Sequence, residues 1–248
     1  TIHLPMVAPT FTPDWDRVRD ALTSRTRLLI INTPHNPSGA VWDADDMRCL
    51  LDLVRHHNCY IVGDEVYEHI VFDGAQHESL LRYPELYARS FVISSFGKTY
   101  HATGWKTGYC VAPADLTVEL RRIHQYVNFV ANTPIQHALA DYMSIAPEHA
   151  TSLGSFYQAK RDSFLEMLRG SRFGIVPSAG TYFQLLDYRR ISNEADIDLA
   201  RRLTVEKGIA SIPVSVFYER APEMRLLRFC FAKDDATLQR AAEILCSL

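Results

Sequence analysis

The chain has 248 residues, of which 47% are hydrophobic, and its formal net charge is -3. This length and apolar content suffice for a substantial buried core, arranged as one large domain or two modest ones. The slightly acidic balance argues against a broad nucleic-acid surface, and no segment approaches the roughly 18 consecutive apolar residues of a membrane span. We therefore expect small molecules as partners, with no nucleic acid and no membrane.

The five cysteines are odd in number, widely spread and free of Cys-x-x-Cys spacing. This usage predicts reduced thiols in a cytoplasmic protein. The first residues contain neither the charged region nor the apolar region of a signal peptide. Four cysteines lie in apolar runs and are expected to be small buried hydrophobic residues. These four are Cys49, Cys59, Cys110 and Cys230.

The first half of the chain alternates strand and helix patterns. A short apolar strand is predicted at 27–32, and Asp43 is a plausible N-cap for a helix whose apolar stripe continues to His57. Strands are also predicted at 60–63, 91–94 and 108–112. Such alternation predicts an α/β fold, with a mostly parallel sheet covered by helices.

The second half predicts a different organisation. Helices are expected at 116–128 and 133–144, followed by a long amphipathic helix at 147–168 that links two domains. The remaining strands are expected at 174–176, 180–186, 210–212 and 225–231, and the remaining helices at 196–207 and 235–248. These elements predict a smaller α+β unit after the linking helix.

A single lysine, Lys98, stands in a loop of small residues, with a second cation, Lys106, eight positions on. An amine attacks an aldehyde only in its neutral form, and burial or a nearby cation disfavours the ammonium form. The pattern therefore indicates a lysine that bonds to an aldehyde cofactor. The alternative is an ordinary solvated loop lysine.

Polar residues follow other predicted strands. Open parallel sheets bind ligands at the carboxyl ends of their strands, so Asn36, Asp64 and Lys98 are expected to converge on one crevice. A carboxylate such as that of Asp64, placed directly after an apolar strand, requires a cationic partner. Asn36 begins an Asn-Pro-Ser-Gly run, which is also a turn signal in its own right.

Arg228 lies within an apolar strand, where a guanidinium needs an anionic partner. Its planar fork suits the two oxygens of a carboxylate, which makes it a candidate for binding a substrate carboxylate. An internal salt bridge is the alternative, and Arg225 is the weaker rival for the same role.

Together, the segments 32–39, 63–68 and 94–108 and the surroundings of Arg228 resemble the class I/II pyridoxal-phosphate aminotransferases, in particular their methionine and kynurenine/glutamine branch. The resemblance covers essentially the whole chain. It implies an incomplete large domain of the pyridoxal-phosphate transferase fold in residues 1–150 and a small C-terminal α+β domain in residues 151–248. It also implies pyridoxal 5'-phosphate as cofactor and a homodimer.

The resemblance assigns roles around the cofactor ring. Lys98 bonds to the aldehyde and then moves a proton between the substrate Cα and the cofactor. Asp64 pairs with the protonated pyridine nitrogen, which keeps the ring an effective electron sink. Tyr67, on the same face of a helical turn as Asp64, and Asn36 both hydrogen-bond the phenolic oxygen.

The resemblance also assigns the phosphate and substrate contacts. Ser95 and Lys106 bind the phosphate, although most family members carry arginine where this chain has Lys106. Arg228 binds the substrate α-carboxylate. The segments 180–183 and 212–217 border the substrate and shape its side-chain pocket.

The implied activity is ping-pong transamination between a neutral amino acid, methionine-like or aromatic, and a 2-oxo acid. Nothing matches the family's N-terminal third, which contributes a glycine-containing phosphate loop, an aromatic that stacks on the pyridine ring and a tyrosine donated across the dimer interface. We therefore expect these residues to be the C-terminal part of a transaminase, and whether they are active alone stays open.

Other functions remain as alternatives. The chain could be a truncated remnant with a binding role, or a pyridoxal-phosphate-dependent carbon-sulfur β-lyase of the same fold. The motifs Ser95-x-x-Lys98, Tyr126-x-Asn128 and Lys106-Thr107-Gly108 also match serine acyl-transfer signatures, but in a different chain order. The ten histidines show no metal-ligand spacing, so we predict no metal.

Overall fold

A computed structural model describes all residues, 1–248, and contains two four-stranded sheets. The strands of the first sheet are β1 (Leu28–Asn32), β2 (Tyr60–Asp64), β3 (Ser90–Ser95) and β4 (Gly108–Val111). They lie in chain order; the first three run parallel, and β4 is antiparallel to β3. This mostly parallel sheet with helical connections is the α/β arrangement that the sequence predicts.

Four helices accompany the first sheet: α1 (Trp15–Ala21), α2 (Ala44–Val54), α3 (Pro84–Tyr87) and α4 (Phe96–Thr99). Asp43 caps α2 as expected, because its side chain accepts from the backbone of Asp46 while the Asp46 side chain accepts from the backbone of Asp43. The buried residues of α2 pack with one face of the sheet in a core of ten buried residues. Short 3-10 turns occur at Leu80–Arg82 and Thr103–Trp105.

Three helices connect the two sheets, namely α5 (Ala114–Val127), α6 (Thr133–Ile145) and α7 (His149–Met167). The longest is α7, and its buried side chains belong to the core of the second sheet. The guanidinium of Arg161 on α7 links two loops, because it donates hydrogen bonds of 2.7 Å to the Asp73 carboxylate and to the Ser178 carbonyl. No helix of the chain combines the length and apolar character needed to cross a membrane.

The second sheet has the order β5-β6-β8-β7 and is antiparallel throughout. Its strands are β5 (Gly174–Ile175), β6 (Phe183–Asp187), β7 (Ile212–Pro213) and β8 (Leu226–Cys230). Helices α8 (Asp196–Lys207) and α9 (Asp235–Cys246) and the 3-10 turn Val214–Phe217 complete this region. Its core of 22 buried residues is the largest in the molecule.

Some boundaries differ from the sequence-based expectation. Helix α2 ends at Val54, before His57. The strand expected from residue 180 begins only at Phe183, because Thr181 adopts a φ of 64° and breaks the extended backbone. Tyr67 lies in a hydrogen-bonded turn rather than a helix.

The expectation for Cys49 was wrong. Cys49 is exposed, because it lies on the opposite side of α2 from the buried Met47 and Leu50. Cys59 is buried, and Cys110 and Cys230 are partly buried, as expected for thiols in apolar runs. All five cysteines are free of disulfides.

Candidate active site

The carboxyl ends of the three parallel strands meet at one edge of the first sheet. Strand β1 ends at Asn32 and β2 at Asp64, and these two residues are paired in the ladder. The Asn32 side chain joins the strand ends, since its amide donates to the Asp64 carbonyl at 2.9 Å and its oxygen accepts from the Asn36 backbone at 2.9 Å. Asn32 was not singled out from the sequence, although its position at a strand end matches that of Asp64.

Lys98 reaches this edge from α4, the short helix that follows β3. Its Nζ donates a hydrogen bond to the Tyr182 hydroxyl at 3.1 Å. The same nitrogen lies 5.5 Å from the ring centroid of Tyr67 and 5.7 Å from that of Tyr182. A half-buried amine thus stands between two aromatic rings, within reach of a ligand in the crevice.

Asp64 is partly buried and has no Lys, Arg or His nitrogen within 4.0 Å. Its carboxylate accepts only a long contact from the backbone of Val66, at 3.4 Å. Burial raises the pKa of Asp64, while the Val66 contact and the charge of Lys98 oppose that rise. A cationic N–H group of a ligand would satisfy this carboxylate.

Tyr67 is fully buried beside Lys98. Its ring makes an edge contact with Tyr182, with centroids 5.1 Å apart, and another with Phe183 at 5.9 Å. Burial and the neighbouring Tyr182 raise the pKa of Tyr67 far above its ordinary value. Its hydroxyl therefore stays protonated and can act as a hydrogen-bond donor.

Arg228 on β8 brings the second sheet to the same place. Its guanidinium donates to the Asn36 side-chain oxygen, a contact between residues 192 positions apart. It lies 3.9 Å from the centroid of the Phe183 ring and 5.4 Å from that of Phe217, and burial lowers its pKa. No carboxylate lies within 4.0 Å of it, so the alternative of an internal salt bridge is wrong.

The rival arginine, Arg225, is occupied elsewhere. Its guanidinium donates to the Glu194 carbonyl at 3.0 Å and pairs with Glu223 at 3.2 Å. Arg228 is therefore the arginine whose guanidinium is free to bind a carboxylate at this edge of the first sheet.

Ser95 and Lys106, the two residues predicted to bind a phosphate, make no hydrogen bond to the side chains of Lys98, Asp64 or Arg228. Ser95 ends β3 and pairs with Gly108, two residues after Lys106. The Lys106 side chain is exposed and makes no hydrogen bond or ion pair, and its backbone φ is 54°. A Cβ at Gly108 would lie 2.4 Å from the Ser94 carbonyl, so glycine is required where the two strands begin to pair.

The acyl-transfer alternative gains no support from the geometry. Tyr126, the centre of one of its signatures, is 86% exposed on α5 and makes no hydrogen bond to Ser95 or Lys98. A cavity of about 530 Å³ lies beside Asn36, with His35 and Phe217 also in its wall, but neither Lys98 nor Asp64 lines it.

Comparison with known proteins identifies relatives of this arrangement. The family model for aminotransferase class I and II matches residues 3–245. The methionine aminotransferase of Escherichia coli (strain K12) is 48% identical over 243 residues, covering 98% of this chain and 63% of the relative. The kynurenine–oxoglutarate transaminase of Dictyostelium discoideum is 36% identical, covering 92% of this chain and 58% of the relative.

Solved structures agree with these relatives. YbdL from Escherichia coli, described as having a methionine aminotransferase function, superposes with a TM-score of 0.95 at 47% identity, covering 98% of this chain and 64% of that one. The N-succinyldiaminopimelate aminotransferase of Mycobacterium tuberculosis superposes with a TM-score of 0.89 at 36% identity, over 94% of this chain and 61% of that one. The chain thus spans about three fifths of the length of these relatives, and it belongs to the class I and II aminotransferase family.

Proposed function

We propose that this chain is the lysine-bearing part of an aminotransferase that uses pyridoxal 5'-phosphate. The whole protein would transfer an amino group between a neutral amino acid, methionine-like or aromatic, and a 2-oxo acid. The observation that carries the proposal is the convergence of Lys98, Asp64 and Arg228 at one sheet edge, in a family whose named relatives are aminotransferases.

The side chains at the edge fit this cofactor. Asp64 supplies a carboxylate without a cationic partner, suited to a protonated pyridine nitrogen. The protonated hydroxyl of Tyr67 and the amide of Asn36 would bind the phenolic oxygen, and Ser95 and Lys106 would bind the phosphate. When bound, pyridoxal phosphate supplies an electron sink for the charge that develops when the substrate Cα loses its proton.

Lys98 would perform the proton transfer. Its amine would hold the cofactor through its aldehyde carbon and would serve as the base that takes the proton from the substrate Cα. The aromatic walls formed by Tyr67 and Tyr182 keep this nitrogen in a partly dry environment, where its contacts are stronger than in water.

Arg228 would orient the substrate by binding its α-carboxylate through two parallel N–H donors. The guanidinium lies against the Phe183 and Phe217 rings, and these apolar surfaces favour a neutral side chain on the amino acid over a charged one. The named relatives act on methionine and kynurenine, which supports a donor of this kind.

We also propose the organisation around this site. Residues 1–150 would form the C-terminal portion of the cofactor-binding domain, and residues 151–248 the small domain, because one sheet lies in each part. The five free cysteines support a cytoplasmic setting. A homodimer would cover exposed apolar side chains between α5 and the end of α6, such as Tyr126, Phe129 and Ile145.

The test is titration of the 248-residue chain with pyridoxal 5'-phosphate, followed by absorption spectroscopy. We expect a new absorption band in the wild type and in Lys160→Ala, but none in Lys98→Ala. Lys160 is the matched control, because it is a half-buried lysine whose amine is bound to the Lys233 carbonyl and to Asp235. Bands of equal intensity in all three proteins would reject Lys98 as the cofactor lysine.

A further inference from the structure

We propose that Tyr182 is a positioning residue for Lys98, and that its hydroxyl holds the lysine amine in place at the sheet edge. This inference rests on the proposed function, because it concerns the lysine assigned to the cofactor. Tyr182 directly precedes β6, so a residue beside the second sheet helps to set the position of the Lys98 amine at the edge of the first sheet.

The contact is specific to one side chain. Lys98 Nζ donates to Tyr182 Oη at 3.1 Å, and no Asp or Glu oxygen lies within 4.0 Å of that nitrogen. The Tyr182 phenol is the only side-chain hydrogen-bond partner of the amine. A lysine side chain has four rotatable bonds, and ordering it costs conformational entropy, so a single acceptor decides where its nitrogen rests.

Hydrogen bonds and close packing fix the backbone around Tyr182, to residues 41 and 70 on one side and to Phe231 of the second sheet's core on the other. The preceding residue, Thr181, is fully buried and donates its N–H to the Ile70 carbonyl at 2.9 Å. At Gly180 a Cβ would lie 2.8 Å from Val41 and 2.9 Å from that same carbonyl, so the chain passes too close for any side chain. The Tyr182 carbonyl accepts from Phe231 at 3.1 Å.

The ring of Tyr182 is held as firmly as its backbone. It is 8% exposed and packs against three aromatic rings, with centroid distances of 5.1 Å to Tyr67, 4.8 Å to Phe183 and 5.6 Å to Tyr157. The hydroxyl therefore has little freedom, and it presents a fixed acceptor to a flexible amine. Fixing a reacting group in advance lowers the entropic cost of reaching the reactive geometry.

The variant that tests this is Tyr182→Phe, which keeps the ring and removes only the acceptor oxygen. The control is Tyr157→Phe in the same aromatic cluster, because the Tyr157 hydroxyl shares a hydrogen bond of 2.9 Å with His101 Nδ1 and does not contact Lys98. Thermal unfolding of both variants establishes that each is folded before its chemistry is compared.

The first readout needs no cofactor. Each protein is treated briefly with acetic anhydride, and mass spectrometry gives the acetylation rate of Lys98 relative to Lys160 in the same molecule. Since a net hydrogen bond is worth a factor of at least about two to ten, we expect Tyr182→Phe to free the amine and raise the relative rate of Lys98 about threefold or more. Tyr157→Phe should leave the ratio unchanged.

The second readout is the rate at which the Lys98-dependent absorption band appears with pyridoxal 5'-phosphate. We expect Tyr182→Phe to slow it about threefold to tenfold, because the amine is no longer held in position. An acetylation ratio equal to the wild type, or an equal change in Tyr157→Phe, would overturn the positioning role. If the ratio changes as expected but no band forms in the wild type, Tyr182 still positions Lys98 and the proposed cofactor function fails.

Discussion

The two sheets of this protein differ in the number of faces that are buried. The second sheet is buried on both faces: the 22-residue core lies on one face, while Phe11 and its neighbours in the N-terminal segment pack with Leu185 and Leu226 on the other. The first sheet is covered by helices on one face only. On its other face lie the partly exposed side chains of Leu28, Ile30, Tyr60 and Ile93.

This difference reverses the usual pattern, in which parallel sheets are covered on both faces and antiparallel sheets tolerate water on one. Within these 248 residues, the second sheet therefore holds the larger share of the apolar burial that stabilises the fold. The candidate site lies where the two regions meet, since Asp64 and Lys98 come from the first and Tyr182 and Arg228 from the second.

The largest effect should come from the core of the second sheet. Phe231 is fully buried there, and truncation to alanine removes its packing and leaves a cavity. We expect Phe231→Ala to lower the free energy of unfolding by about 3–5 kcal/mol, measured by urea denaturation. Phe156→Ala, at a half-exposed phenylalanine on α7, is the control and should cost much less. Similar losses in the two variants would contradict the burial of Phe231 in the core of the second sheet.

A second prediction tests where the acid sensitivity of the molecule lies. Burial lowers the pKa of His35, in the loop after β1, from 6.5 to about 4. Between these two values the unfolded chain binds a proton that the folded chain does not. The free energy of unfolding should therefore decrease as pH falls from 6.5 to 4, by up to about 1.4 kcal/mol per pH unit for this one group.

The variant His35→Asn should flatten this part of the stability curve, as measured by urea denaturation at a series of pH values. His56→Asn, which removes an exposed histidine just after the end of α2, is the control and should follow the wild-type curve. A slope that stays unchanged in His35→Asn would show that the acid sensitivity arises elsewhere.

The smallest effect should come from the open face of the first sheet. Ile30 is 68% exposed, so we expect Ile30→Ser to change the free energy of unfolding by no more than about 0.5 kcal/mol. Its neighbour Ile31 points to the covered face and is buried, so Ile31→Ala should cost about 2–4 kcal/mol. If the two variants lose equal stability, the open face is packed in solution and the comparison between the sheets fails.

Much of the fold was predictable from local patterns. Apolar runs set the strands of the first sheet to within a residue or two, and Asp43 marked the start of α2 through its capping chemistry. The expectation that polar residues after parallel strands share one edge follows from strand direction alone, and Asn32 and Asp64 are indeed paired there. Thr181 was not predictable, because its left-handed backbone depends on the Ile70 carbonyl from another part of the chain.

The sequence by itself determined the α/β class, the family and the set of candidate residues, because these depend on periodicity, turn chemistry and motifs within short segments. Only the tertiary structure decided which of them touch. The contact of Arg228 with Asn36 and that of Lys98 with Tyr182 join residues 192 and 84 positions apart. Such contacts, like the choice of which face of the first sheet is covered, arise from packing between regions, and no local pattern encodes that packing.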